Sequence, residues 1–137
     1  MFAQFTYDAG GPGAARERFQ LLITDLVRVK HETAHEVALP SGSDWGIDTF
    51  VGALDSEVFV WQSKFFPTWT GESQRANVRQ SFSEVMSRAK NEGFAVHGWT
   101  LCVPCILPPA EQLWFDGWKR RQEQGNGPRI KLWNGSV

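Results

Sequence analysis

The chain has 137 residues, a formal net charge of −1, 42% hydrophobic and 21% charged residues, with seven tryptophans. That composition fits one globular domain with a real core and excludes disordered, collagen-like and disulfide-scaffold classes. The near-neutral charge argues against nucleic-acid binding through bulk positive charge but leaves room for a local basic face. No apolar run approaches the ~18–20 residues of a membrane helix, and Met1 to Gly13 lacks a secretory pattern, so a cytoplasmic protein without a membrane partner is expected. After the breaker cluster Gly10-Gly11-Pro12-Gly13, Phe19, Leu22, Ile23, Leu26 and Val27 recur at helical steps, predicting a helix over about Ala14 to Lys30. A weak strand, Glu36 to Leu39, precedes a turn. Two strands of a hairpin follow, Ile47 to Leu54 and Val58 to Phe66, joined at Asp55-Ser56. The second sets Val60, Gln62 and Lys64 on one side and Phe59, Trp61 and Ser63 on the other.

Glu72 to Asn91 reads as a helix carrying Val78, Phe82, Val85 and Ala89, with Gly93 as its stop. Ala95 to Val103 reads as a strand ended by Pro104. Pro108-Pro109 opens a helix over about Ala110 to Gln122, with Leu113, Trp114 and Trp118 on its apolar side. Arg129 to Trp133 is a final strand. Hairpins mixed with helical crossovers imply an α/β fold, a mixed central sheet of about five strands flanked by helices. Residues 1–137 form one domain, and the abrupt ending at Asn134-Gly135-Ser136-Val137 suggests the N-terminal domain of a longer protein.

The richest stretch for chemistry is Ser41 to Phe66. Adjacent antiparallel strands can bring Asp48 beside Gln62 and Lys64, because paired residues lie ~5 Å apart. A carboxylate and an amide oxygen suit a hard cation such as Mg²⁺ or Mn²⁺. Such a cation generates a nucleophile from water, and a neighbouring lysine stabilises the charge that develops on a phosphodiester.

The pattern Gly46-x-Asp48-x₁₃-Gln62-x-Lys64 resembles the PD-(D/E)xK nuclease superfamily, the restriction-endonuclease-like fold. Gly42-Ser43-Asp44-Trp45-Gly46-Ile47-Asp48 is similar to the SGDxGxD run of its Mrr-like branch, and Val60-Trp61-Gln62-Ser63-Lys64 to that branch's VxQxK strand. The family's αβββαβ core would cover about Ala14 to Val103. Trp99 to Pro104, Trp114-Phe115 and Ile130 to Trp133 further resemble nuclease domains fused to bacterial antiphage effectors. The resemblance implies metal-dependent DNA cleavage with Asp48, Gln62 and Lys64 as catalytic residues. Asp48 and Gln62 would hold the metal, joined by Glu17 from the first helix, where Gln20 stands at a position that often carries Glu. It also implies an effector activated by oligomerisation, partnered by a sensor domain or subunit and acting on DNA, double-stranded by preference. Arg75, Arg79 and Trp69 are candidate nucleic-acid contacts; Gln74, Gln80 and Trp45 are weaker ones. The alternative is a catalytically inactive module of the same fold for nucleic-acid binding or assembly.

Two other motifs compete. His31-Glu32-Thr33-Ala34-His35 is a literal HExxH, but it falls where the first helix ends and lacks a third ligand. Cys102-Val103-Pro104-Cys105 has CxxC spacing, yet it follows a strand and runs into prolines, so buried reduced thiols are expected.

Overall fold

A computed structural model describes residues 12–30, 35–36, 49–52, 57–66 and 68–134, with side chains over 18–29, 58–66 and 68–134. The order is α1 (Pro12–Lys30), β1 (His35–Glu36), β2 (Thr49–Gly52), β3 (Glu57–Ser63), α2 (Glu72–Glu92), β4 (Ala95–Cys102), α3 (Pro109–Glu123) and β5 (Arg129–Trp133). The strands lie in one sheet in sequence order. β1, β2 and β3 pair antiparallel, whereas β3, β4 and β5 form a three-stranded parallel unit. The class is mixed α/β, as expected. Helical crossovers α2 and α3 make the parallel pairings possible, since a tight turn cannot join parallel strands.

The two faces of the sheet are covered differently. In α1, Phe19, Ile23 and Val27 are buried on one stripe against Trp61 and Cys102. In α2, Val78, Phe82, Val85 and Ala89 hold the helical period and pack with Phe115 and Trp118 of α3 on the opposite face. That face receives Val58 and Val60 from β3, Val96, Trp99 and Leu101 from β4, and Ile130 from β5.

The step from Val96 to Trp99 breaks strict alternation. The β3–β4 register jumps from Val58↔Val96 to Phe59↔Gly98, leaving His97 as an extra residue. This bulge returns the odd-numbered residues Trp99, Leu101 and Val103 to the face that Val96 already occupies.

Local chemistry fixes the ends of α2 and the entry to β5. Gln74 Oε1 accepts from the Gly71 and Thr70 backbone N–H groups at 3.0 and 3.2 Å. Gly93, at φ 81°, ends α2 in the left-handed region, its N–H donating to the Ala89 carbonyl at 2.9 Å. After α3, a Cβ at Gly127 would stand 2.0 Å from the Gln122 carbonyl oxygen, so the turn admits only glycine there. Glu123 Oε2 accepts from the Ile130 N–H at 2.8 Å, tying the helix end to β5.

One boundary and one face differ from the sequence reading, and two of the expected strands run on into residues outside the described part. The described part of the first hairpin strand is Thr49–Gly52. β3 stops at Ser63, because the Phe66 N–H turns back onto the Lys64 carbonyl at 2.9 Å just before Pro67. Of the weak strand at Glu36 to Leu39, only Glu36 falls in β1; residues 37–39 are outside the described part. Leu113, expected on the apolar side of α3, is 71% exposed; Glu111, Phe115 and Trp118 form the buried stripe instead.

Candidate active site

Gln62 and Lys64 sit at the carboxyl end of β3. Strand alternation puts Gln62 on the face of Val58 and Val60, and its side chain is 2% exposed. A buried amide needs partners. The Trp99 indole Nε1–H donates to Gln62 Oε1 at 3.1 Å, from the same face of β4. A carbonyl oxygen carries two acceptor sites, so this bond leaves one for another group. Lys64 lies one residue beyond β3 and is half-buried; its backbone N–H donates to the Cys102 carbonyl at 2.9 Å. That bond carries the β3–β4 ladder past the strand end.

The β2–β3 ladder includes Thr49↔Trp61. Thr49 follows Asp48 in sequence and Trp61 precedes Gln62. Asp48 itself, the Ser41 to Ile47 run, Trp45 and His31 to Ala34 lie outside the described residues. Glu17 belongs to α1, with its side chain outside the described part, and Gln20 is half-buried. Among the described residues no group of three or more His, Cys, Asp or Glu side chains can hold a metal ion. A hard cation takes oxygen ligands, and of the expected set Gln62 is the one whose oxygen is described; Lys64 has none to offer.

The proposed nucleic-acid contacts prove to be engaged within the fold. Trp69 is 2% exposed. Its indole N–H donates to Glu111 Oε1 at 2.8 Å, and its ring meets Phe66 edge-on at 5.7 Å. It cannot offer a face to a base, and that expectation is corrected. Arg75 grips the same Glu111 with both arms, Nε to Oε1 at 2.8 Å and Nη2 to Oε2 at 2.6 Å. Arg79 is paired with Glu72. Both guanidiniums lie over Trp114, 5.6 and 5.9 Å from its ring centre. Gln74 is a helix cap, and Gln80 donates to Glu84 on the same helix at 3.2 Å.

Glu111 is the polar residue that sequence reasoning missed. Its signal was an acid in the first turn of a helix opened by Pro108-Pro109, where the helix dipole favours negative charge. The Arg75 guanidinium, helped by the Trp69 indole, holds its carboxyl below the ordinary glutamate value. In turn, the bond to Glu111 raises Arg75.

Of the HExxH run only His35 is described, and it lies in β1; His31 to Ala34 are outside the described residues. Cys102 and Cys105 are buried thiols outside any disulfide, as expected, with Cys102 in the α1-side cluster and Cys105 in the α2/α3 cluster. Burial pushes the Cys105 thiol up. No helix among the described residues is long and apolar enough to cross a membrane.

Comparison with protein families, with curated proteins and with solved structures finds nothing that matches this chain.

Proposed function

We propose that this chain is a metal-dependent endonuclease of the PD-(D/E)xK kind, with a restriction-endonuclease-like core, that hydrolyses DNA phosphodiester bonds. One observation carries the reading. An antiparallel β1–β2–β3 unit passes through α2 to a strand parallel to β3, and Gln62 and Lys64 stand at the β3 end, where Thr49↔Trp61 flanks Asp48 and Gln62 in sequence. Asp48 and the free acceptor site of Gln62 would hold Mg²⁺ or Mn²⁺, with Glu17 as a further ligand from α1. When bound, the cation supplies a low-pKa water and neutralises phosphate charge. Lys64 aligns the attacking oxygen and offsets the charge that builds up on the phosphate. The Trp99 bond holds the Gln62 amide in one orientation for that role. The antiphage effector role, with a sensor partner and activation by self-association, belongs to the same proposal.

The test is plasmid cleavage with Mg²⁺ or Mn²⁺ by the full-length protein in its activated, self-associated form. Cutting should require the metal and fall at least about 100-fold in Lys64→Ala, the range for removing one transition-state donor. Absence of metal-dependent cutting, or full cutting by Lys64→Ala, overturns the reading. The second reading is a non-cleaving module of the same fold. It draws on the commitment of Gln62 Oε1 to Trp99 inside the core.

A further inference from the structure

The sheet face under α1 is only partly covered. The register places three rows across β3, β4 and β5 on that face: Phe59–Gly98–Arg129, Trp61–Thr100–Lys131 and Ser63–Cys102–Trp133. The α1 cluster takes Trp61 and Cys102, with Trp133 partly buried against it. The first row is left open. Phe59 is 46% exposed, and Arg129 and Lys131 are exposed.

The Phe59 ring is held by a specific device. The bulge at His97 brings Gly98 opposite Phe59, and Phe59 Cδ1 lies 2.9 Å from where a Gly98 Cβ would stand. Any side chain at 98 would lift the ring away. The glycine therefore seats the aromatic ring against the sheet, with about half of the residue left open to solvent. His97 lies alongside, its ring centre 6.0 Å from that of Phe59. Arg129 and Lys131 stand two strands away on the same face, and neither enters an ion pair among the described residues. This differs from Arg75 and Arg79, whose charges are met by Glu111 and Glu72.

From this we infer that the open face binds single-stranded nucleic acid. A base stacks on Phe59, and the phosphates alongside meet Arg129 and Lys131. Charge complementarity selects the ligand: two exposed cations with no ion pair among the described residues, beside a seated aromatic ring, suit an anionic backbone that carries exposed bases. A duplex hides its base faces and cannot use the ring. The inference rests on the nucleic-acid reading above and adds to the cleavage site a second surface, one that takes a single strand. Phe59 is three residues from Gln62 and on the opposite face of β3, roughly 10 Å along the strand, so the platform is separate from the cleavage site.

The experiment is fluorescence anisotropy of the full chain with labelled oligothymidine, oligouridine and a duplex of equal length. It is run in EDTA, where metal-dependent cleavage cannot proceed, so loss of binding and loss of cutting stay distinct. Single strands should bind more tightly than the duplex. Phe59→Leu, which still covers Gly98, should weaken binding at least about fivefold, and Phe59→Trp should retain it. Arg129→Gln and Lys131→Gln, at exposed positions that leave the core intact, should each lower the salt slope by about 0.7. Binding of the duplex as tight as that of single strands, wild-type binding by Phe59→Leu, or an unchanged salt slope in both cation variants overturns the inference.

Discussion

The two faces of the sheet use aromatic residues in opposite ways. On the α2/α3 face, Trp99 meets Phe82 at 5.3 Å and Trp118 at 5.9 Å, while Phe82 meets Trp118 at 5.2 Å, all edge-to-face. Trp114 then stacks on Trp118 at 13° and 5.9 Å. These rings bury large areas and favour tilted contacts, so this face gives both stability and a defined arrangement. The α1 face has a smaller cluster of Phe19, Ile23, Val27, Trp61 and Cys102 and leaves Phe59 over Gly98 in the open. An abundance of tryptophan is therefore mostly core here. Among the described residues the aromatic ring most open to solvent is that of Phe59, which sequence composition does not single out.

Breaking each face in turn sharpens the contrast. Trp99→Ala should have the largest effect, a loss of about 3–5 kcal/mol, because it opens a cavity and removes the donor to buried Gln62. On the other face, Ile23→Ala should cost about 2–4 kcal/mol. Urea denaturation measures both, and a larger loss at Ile23 would reverse the assignment of the main core.

The second effect is acid sensitivity. Glu111 has a depressed carboxyl pKa in the folded protein. Its contribution to stability is complete above the ordinary glutamate range and is lost as pH falls through the lowered folded value. Glu111→Gln should lower Tm at neutral pH and flatten the acid limb of the stability–pH curve, as read by thermal melts. An unchanged acid limb would detach Arg75 and Trp69 from stability. The smallest effect belongs to Leu113→Gln, which should stay within about 0.5 kcal/mol. A larger loss would mean that Leu113 has a partner after all.

The helices and the parallel strands were legible because their signals are local. Val78, Phe82, Val85 and Ala89 keep one helical stripe, Gly93 supplies the left-handed stop, and β5 matches Arg129 to Trp133. What failed depended on distant partners. The bulge at His97 exists only against Phe59 of β3. Leu113 has an apolar side chain, but Glu111 takes the inward position, because Trp69 and Arg75, about forty residues earlier, converge on it. Arg75 and Trp69 looked like surface contacts for the same reason: their common partner is invisible to local spacing. In the candidate site, the Gln62 and Lys64 pattern was visible, but the bond from Trp99 to Gln62 was not, since alternation gives a face and not a partner.

The site is tested most directly by comparing metal titrations of cleavage for Gln62→Glu and Lys64→Ala, with thermal melts of each. Glutamate keeps an acceptor for Trp99 and adds a charge for a hard cation. Half-maximal cleavage should come at a lower Mg²⁺ concentration for Gln62→Glu, and cleavage should be lost in Lys64→Ala at an unchanged Tm. A metal requirement unmoved by Gln62→Glu, together with full cleavage by Lys64→Ala, would remove both residues from the chemistry.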